Sequence, residues 1–519
     1  MMQLPIAFRL TLSLLLLASG AAHAADWYVG STGSDAPGQG ASAGTPFATV
    51  GYATSAAANG DTIHIAAGSY AEPASVTVNK SLRYSGAGRA STSISRSNTG
   101  VGGGVFDLAA GASGSRFEGL TIRVADSNAN LGIAAAGPIS LTGLTLDQMA
   151  IVGPGAPVAL VTGLHISGGA SVSSLTVTNS LFTGLYYGWL ASVGGGTPVA
   201  GCGVPAANTG GSFDGITVSN TEFSQNREKG LYAEMLSNAS FTAVTVRDNG
   251  APVAGGGVSN SNGAGFDINL KAGNYRNISI TQSTFTGNGA ATANGGAIMV
   301  KARDDRSYTC SPATLDGVTI THNTITGNER GIRFGEPMNI NVLPSVLAYN
   351  AGPTNAVVRF NQINNNVPSF NGTGNDQYGG VIDQTLSPSI HVNRNSLMGN
   401  GRGPSDLNGI VNAQVTGAPG PNNTVDGVCN WWGHASGPGE SQSVYTTPSG
   451  ATGSGDMVSS NVAYSLFLLS SDLNGPCASF PVAPVTAVPV PALDWRALLV
   501  MVAGLALAGM AITRPRTRP

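Results

Sequence analysis

The residues that could do chemistry are concentrated in one short segment. Residues 301–306 read KARDDR and place Arg303, Asp304 and Asp305 side by side. Because only 10% of the whole chain is Lys, Arg, Asp or Glu, this concentration of charge is unusual for the sequence. Carboxylates beside Arg and Lys are the residue types that acid–base chemistry on an acidic sugar requires. We therefore take Arg303, Asp304 and Asp305 as candidate catalytic residues.

Further charged residues recur on short strands of the neighbouring repeats. Residues of one registered strand in successive repeats lie in a column, so these side chains are expected to line one groove. The alternative is a solvated face on which Arg and Asp neutralise each other. The predicted substrate-binding residues are Glu234, Asp267, Lys271, Lys301 and Arg333, and we expect Asn269, Glu336 and Asp383 on the same face.

The elements that must position these residues are internal repeats that align on a shared asparagine. Four of them are residues 216–226 (ITVSNTEFSQN), 278–288 (ISITQSTFTGN), 318–328 (VTITHNTITGN) and 390–400 (IHVNRNSLMGN). In each, apolar and polar residues alternate, which predicts a strand with one face buried. A second strand beginning with Gly follows each asparagine turn.

Strands this short cannot each bury a hydrophobic face alone, so they must stack. The irregular connections disfavour the hairpins of a β-propeller and favour a solenoid. We predict an all-β, single-stranded right-handed parallel β-helix with an N-terminal cap and a C-terminal transmembrane helix. We expect a side-chain ladder at one corner, formed by Asn226, Asn288, Asn328, Asn366 and Asn400.

Two segments resemble a known family. Residues 27–70, with the GDTI of 60–63 and the AGSY of 67–70, resemble the N-terminal cap of exported β-helix proteins of the pectate-lyase-like superfamily. The segment NWWGHASGP at 430–438 resembles a stretch near the end of the same solenoids. With the repeats, the resemblance covers most of residues 25–475. It implies a fold and leaves the chemistry open.

That resemblance implies two kinds of enzyme. Lyases of the superfamily hold an acidic sugar through calcium and let an Arg or Lys take the proton next to the carboxylate, whereas hydrolases on the scaffold use paired carboxylates. The hydrolase motifs Asn-Thr-Asp, Gly-His-Gly and Arg-Ile-Lys do not occur in the sequence. We assign no cofactor, and we expect calcium only if the protein is a lyase. The histidines are scattered along the sequence and predict no metal site.

Both ends of the chain predict export. An apolar run followed by Ala-His-Ala at 22–24 is typical of a cleaved signal peptide. Residues 497–512 are apolar and flanked by arginines, which predicts a transmembrane helix with the remainder outside. Residues 488–519 resemble bacterial C-terminal sorting signals of the IPTL-CTERM and PEP-CTERM kind, which implies a sorting peptidase as a partner. The predicted divisions are 1–24 signal peptide, 25–75 cap, 76–440 repeats, 441–488 linker and 489–519 sorting segment.

Four cysteines in an exported chain allow three disulfide pairings. We favour Cys429 with Cys477, because this bond would pin the segment after the solenoid to its last coil. A net charge of −3 without a basic cluster argues against nucleic acid as a partner.

The sequence therefore predicts a cell-surface protein, anchored at least transiently, that binds a polysaccharide or another extracellular polymer without established catalysis. The alternatives are a polysaccharide lyase or glycoside hydrolase, and a structural adhesin or surface-layer component.

Overall fold

The structure is a computed structural model that describes residues 24–97, 103–125, 130–155, 161–193, 210–250, 262–304, 308, 311–336, 351–369, 378–402, 408–412, 423–441 and 449–479. Residues 1–23 of the predicted signal peptide, the predicted transmembrane helix, Asp305, Cys202 and Cys310 lie outside these ranges. The chain divides into a unit ending at Ala478 and a unit from Ser479 to Pro519, of which Ser479 alone is described. In the described ranges, no helix has the length and hydropathy needed to span a membrane.

Almost all regular structure in the described ranges is short strand. The helices there are an α-helix at Val50–Ala56 and a 3₁₀ helix at Ala110–Ala112. The strands form three long sheets, called sheets A, B and C here, and a small sheet of Leu466–Leu468 and Cys477–Ser479. Sheet A consists of Asp26–Val29, Thr62–Ile65, Arg83–Gly86, Arg116–Glu118, Ser140–Thr142, Thr145–Asp147, Ser171–Ser173, Thr176–Thr178, Ser212–Ser219, Ser237–Thr242, Gly273–Thr281, Ala313–Thr321, Thr354–Arg359, Ile390–Asn393, Val425–Asp426 and Val462–Ala463.

The other two long sheets follow the same succession along the chain. Sheet B consists of Gly68–Glu72, Thr92–Arg96, Thr121–Arg123, Ala150–Val152, Leu181–Thr183, Glu222–Ser224, Thr245–Arg247, Thr284–Thr286, Thr324–Thr326, Gln362–Asn364 and Ser396–Met398. Sheet C consists of Val76–Val78, Gly103–Leu108, Asn130–Ala136, Thr162–Ser167, Tyr187–Ala191, Lys229–Ala233, Ala264–Leu270, Gly296–Ala302, Ile332–Phe334, Val381–Asp383, Asn408–Asn412, Pro438–Glu440 and Gly455–Val458.

The strands within each long sheet pair in parallel with their counterparts in the next coil. In sheet A, Ile278 pairs with Val318 and Ile280 with Ile320, which is the register that the aligned repeats predict. All four side chains are buried, while the intervening polar residues face outward. Parallel strands in stacked sheets confirm the predicted all-β parallel β-helix and fit its right-handed form.

Inward side chains continue from coil to coil as columns. One such column in sheet B runs from Phe223 through Val246, Phe285, Ile325 and Ile363. Each of these side chains is fully buried. Because neighbouring coils lie about 4.8 Å apart, every side chain in the column contacts the one above and the one below. This column and the inward residues of sheets A and C together fill the interior of the tube.

An asparagine ladder follows one corner of the tube. It contains the five predicted asparagines and a sixth, Asn249, between Asn226 and Asn288. Each Nδ2 donates to the Oδ1 of the next coil, as from Asn288 to Asn328 at 2.9 Å. The ladder ends at Asp456, whose carboxylate accepts the backbone N–H of Asn400 at 2.9 Å. A second ladder, not predicted, joins Asn323, Asn361, Asn395 and Asn430.

Specific contacts hold the segments at both ends of the tube in place. At the start, Glu72 accepts the first two helical N–H groups, from Val50 at 2.8 Å and Gly51 at 2.9 Å, and so satisfies donors that a helix start leaves unpaired. At the other end, a disulfide joins Cys429 to Cys477, the pairing that the sequence analysis favours. It ties the last strand of the small sheet to the final coils.

Candidate functional site

Sheet C presents a group of charged side chains on its outer face. The register places Tyr232, Asp267, Met299 and Arg333 at successive positions of one column. Asn269 and Lys301 pair in the adjacent column. Residues in register point to the same side of a sheet, so these columns lie next to each other. We call the whole group the charged cluster: Lys229, Tyr232, Glu234, Asp267, Asn269, Lys271, Lys301, Arg303, Arg333 and Glu336.

Asp267 is at the centre of the charged cluster. Its Oδ2 lies 3.1 Å from Lys229 Nζ and its Oδ1 lies 3.0 Å from Lys301 Nζ. Only 3% of the Asp267 side chain is exposed, and 6% of each lysine. Burial alone would raise the pKa of Asp267, but the charges of Lys301 and Lys229 outweigh it and hold the pKa well below its ordinary value. Asp267 is therefore ionised at neutral pH.

The two lysines beside Asp267 respond differently to the same environment. Burial is the largest influence on both and favours the neutral amine. For Lys229, the carboxylates of Asp267 and Glu228 more than compensate, and its pKa is raised. For Lys301, burial outweighs Asp267 and Glu336, the nearby Arg333 acts in the same direction as burial, and its pKa is lowered. Lys301 is thus the lysine of this pair that loses its proton more readily.

A second layer of ion pairs lies above this buried centre. Lys271 pairs with Glu234, and Arg303 pairs with Glu336. These side chains are more accessible than Lys229, Asp267, Lys301 and Arg333, which we call the inner layer. Of the Glu336 side chain, 22% is exposed. Burial would raise the pKa of Glu336, but Lys301, Arg303 and Arg333 lower it below its ordinary value. The outer cations are therefore partly open to solvent and are already neutralised by carboxylates of the same chain.

Tyrosines that the sequence analysis missed complete the site. The rings of Tyr187 and Tyr232 stack with centroids 5.7 Å apart, and Lys229 Nζ lies 4.1 Å from the Tyr232 ring centroid. The ring of Tyr308 lies 4.4 Å from the Arg303 guanidinium. A cation and the face of an aromatic ring attract each other, so the rings hold the charged groups in place. Tyr232 lies two residues before Glu234, and the alternation of side chains along a strand could have predicted that both lie on the same face.

Arg333 is the remaining cation of the inner layer. It is buried, and its Nη1 donates to the carbonyl oxygen of Asn294 at 2.9 Å, while its Nε has no hydrogen-bond partner. Burial lowers the pKa of Arg333 to about 10, and the charge of Glu336 acts against this shift. A buried guanidinium with a spare donor is suited to an additional acceptor.

Asp304 and Asp383 were predicted with this group, and the structure gives each of them other contacts. Asp304 Oδ2 accepts the N–H of Ala351 at 2.9 Å and so helps to hold the chain that enters the next strand of sheet A. Asp305 lies outside the described residues. The prediction for Asp383 is wrong, because Asp383 pairs with the inward Phe334, and Ile382 takes the outward position beside Arg333. Asp383 therefore points into the tube.

The charged cluster does not fit calcium. In the described part of the chain, no three His, Cys, Asp or Glu side chains gather where they could hold a metal ion. Calcium requires six to eight oxygen ligands, and both carboxylate oxygens of Asp267 already face lysines. Acid catalysis of the hydrolase type is disfavoured as well, because a general acid needs a raised pKa, and those of Asp267 and Glu336 are lowered.

Comparisons with known proteins give distant structural matches. No family model matches the chain, and no curated protein matches it. The A-module of a mannuronan C-5 epimerase from Azotobacter vinelandii is a similar structure, with a TM-score of 0.43 and 14% identity over 80% of this chain and 93% of that one. A rhamnogalacturonan lyase has a TM-score of 0.42 and 13% identity over 72% and 87%. A pectate lyase has a TM-score of 0.32 and 17% identity over 58% and 77%.

The strand register identifies the fold. This chain is a parallel β-helix. The charged cluster occupies the outer face of the tube across the coils that contain Lys229, Asp267, Lys301 and Arg333.

Proposed function

We propose that this protein binds an acidic polysaccharide at the charged cluster. The observation that carries the proposal is the layered arrangement of cations: Lys271 and Arg303 lie partly exposed above the buried Lys229, Lys301 and Arg333. Arg and Lys bind carboxylates through charge-assisted hydrogen bonds, which are the strong ones. The rings of Tyr232 and Tyr308 hold Lys229 and Arg303 in place by cation–π contacts.

We also propose that the protein works outside the cell, anchored by its C-terminal segment at least until a sorting peptidase acts. The predicted signal peptide and the resemblance of residues 488–519 to sorting signals support this proposal. The disulfide between Cys429 and Cys477 is consistent with it, because such bonds persist in oxidising compartments.

The binding proposal is tested by measuring the affinity of the full chain for polygalacturonate, alginate and a neutral glucan. We expect binding of the two uronans and a decrease in affinity at high salt, because the contacts are charged. Lys271→Met and Arg303→Met keep the apolar stem of each side chain, and each should weaken binding about tenfold. Arg276→Met is the matched control, because Arg276 is exposed on sheet A. Equal binding of the neutral glucan, or equal loss in the control, would overturn the proposal.

A polysaccharide lyase is the second candidate, favoured by the lowered pKa of Lys301. A lyase needs a base that takes the proton next to the sugar carboxylate, and a neutral amine can serve as that base. The test is incubation of the chain with each uronan while the ultraviolet absorbance of an unsaturated product is followed. We expect any such activity to be lost in Lys301→Met. Binding without product formation would leave binding as the function.

A further inference from the structure

A polar pair lies inside the tube, away from the charged cluster. Asp383 and Asn412 occupy the same inward column of sheet C in adjacent coils, where they pair directly in register. Each residue is only 1% exposed. Their side chains therefore point the same way into the interior, one coil apart, which is about 4.8 Å. In the coil before them, this column contains Phe334.

The hydrogen bonds of this pair leave two oxygens unpaired. Asp383 Oδ1 accepts from the Thr385 N–H at 2.9 Å and from the Thr385 hydroxyl at 2.7 Å, but Asp383 Oδ2 is buried without a hydrogen-bond partner. The Nδ2 of Asn412 donates to the carbonyl oxygens of Asn423 and Asn461, both at 2.9 Å, but Asn412 Oδ1 is also buried without a partner. Each is an acceptor that lacks a donor among the described residues.

A hydrogen atom shared between the two oxygens would satisfy both of them. Buried acceptors without donors are rare in folded proteins because each costs its full desolvation penalty. We infer that Asp383 is protonated on Oδ2 in the folded tube and donates that proton to Asn412 Oδ1, so that these two coils form a pH-sensitive joint near the C-terminal end of the solenoid.

The surroundings of Asp383 support this assignment. Burial raises the pKa of Asp383 to about 7, while the two hydrogen bonds from Thr385 act in the opposite direction. The packed neighbours are Phe334 on one side, Asn412 on the other, and Gln384, Thr385 and Ser387 of the following segment. None of these side chains is charged, so no cation in this set stabilises the ionised carboxylate. Ser459 follows the next strand of sheet C, and its hydroxyl accepts the Asn412 N–H at 2.7 Å. That strand, Gly455–Val458, contains a second buried acid, Asp456, whose pKa burial raises to about 6.

The sign of the pH effect follows from the direction of the shift. The folded protein holds a proton on Asp383 that the unfolded chain releases near the ordinary value of 3.8. The stabilisation is therefore complete in acid and is lost as the pH rises from about 4 to about 7. Over that range the opening equilibrium of these coils should increase by up to about tenfold per pH unit.

Asp383→Asn is the test variant, because an amide can keep its oxygen on Thr385 and donate an N–H to Asn412. Hydrogen exchange of the Asn412 and Gln384 amides, corrected for intrinsic exchange rates, is measured in the full-length protein at about pH 5 and about pH 8. We expect protection in the wild type to fall on the order of a hundredfold or more between these pH values, and protection in Asp383→Asn to fall by about tenfold at most, which is the part due to Asp456. Asp26→Asn, an exposed acid on sheet A, should keep the wild-type response.

Two results would overturn the inference. The first is a pH response in Asp383→Asn equal to that of the wild type. The second is restored protection of the wild type at about pH 8 on addition of sodium, potassium or calcium, which would place a cation between the two oxygens. If Asp383→Asn fails to fold, the wild type is examined by infrared spectroscopy at mildly acidic pH. There a protonated carboxyl band is expected, and its absence would contradict the proposal.

Discussion

Asp267 binds two lysines that come from the coils on either side of it. Lys229 approaches from the preceding coil at 3.1 Å and Lys301 from the following coil at 3.0 Å. Because Asp267 itself belongs to the coil between them, the three side chains link three consecutive turns of the solenoid through a single carboxylate. The centre of the charged cluster therefore also stabilises the packing of three consecutive strands of sheet C.

Replacing this carboxylate should destabilise the fold strongly. Asp267→Asn leaves two buried ammonium groups without their shared partner, and breaking a buried pair costs about 3–5 kcal/mol. Urea unfolding at neutral pH measures the change. Asp248→Asn is the control, because Asp248 is half exposed and pairs with Arg247 at the surface, where such a pair contributes about 1 kcal/mol or less. A loss in Asp267→Asn no larger than in the control would contradict the assigned role.

The loss of folding stability at acidic pH should also depend on Asp267. The pKa of Asp267 is lowered in the folded protein, so its stabilisation is present above the ordinary value of 3.8 and is lost as the pH falls below it. We expect the wild type to lose stability in acid and Asp267→Asn to show a shallower loss. Urea midpoints recorded from neutral pH into the acid range test this. Parallel curves for the two proteins would show that other groups govern the loss of stability in acid.

Glu336 competes with any anionic ligand for Arg303 and Lys301. In the chain alone it contacts Arg303 and lies 3.6 Å from Lys301. Glu336→Gln removes the competing charge and should increase the affinity for polygalacturonate several-fold, provided that the proposed binding occurs. Calorimetric titration provides the measurement. Glu222→Gln, which removes one of the two carboxylates that pair with Arg247 on sheet B, should leave the affinity unchanged. A weaker complex with Glu336→Gln would instead indicate that Glu336 positions Arg303 for binding.

The asparagine ladder should contribute substantially to stability. Asn328 accepts from Asn288, donates to Asn366 at 2.9 Å and donates to the carbonyl oxygen of Phe285 at 3.0 Å, all in a buried position. Asn328→Leu leaves several of these partners unsatisfied, at about 1–3 kcal/mol for each. Thermal and urea unfolding measure the loss. Asn274→Ala, at an exposed asparagine, should change stability by less than about 0.5 kcal/mol.

The disulfide should hold the end of the described chain in place. It closes a separation of 48 residues, for which about 2–4 kcal/mol of stabilisation is typical. Arg394 adds hydrogen bonds to the carbonyl oxygens of Leu473 at 3.0 Å and Gly475 at 3.1 Å. Cys477→Ser should therefore make residues 464–479 sensitive to protease while the preceding coils stay resistant. Equal resistance of that segment with and without the disulfide would show that Arg394 and packing suffice.

Much of the fold was predictable because each coil repeats its own register. The match between residues 278–288 and 318–328 becomes the pairing of Ile278 with Val318. Asn249 was missed because its repeat reads VTVRDN, with Arg-Asp in place of the Thr-Gly at 286–287 and 326–327 of two aligned copies. The second ladder was missed because earlier coils have Ser or Thr at its position, as at Ser180, Thr221 and Ser283, and asparagine begins only at Asn323.

The charged cluster was only partly predictable. Its lysines, arginines and carboxylates stood out in a chain poor in charge, and the structure brings Glu234, Lys271, Lys301 and Arg333 near Asp267. Asp383 was misplaced because a shift of one position in a strand moves a side chain to the other face. Aligning Gly380 with Gly331 sets Asp383 opposite Phe334, so the sequence contained the correction. The loop that carries Asp304 has no repeat partner, and its contact with Ala351 could not be inferred.

The asparagine ladder has a direction. In the bonds between asparagine side chains, Nδ2 always donates to the Oδ1 of the next coil towards the C-terminus, so each side chain accepts from the coil before it and donates to the coil after it. A duplicated internal coil would fit this head-to-tail order with no bond lost, whereas truncation before Asp456 would leave the Asn400 N–H without its acceptor. A gene for such a protein can therefore lengthen by copying its middle, but its final turn has to be inherited intact.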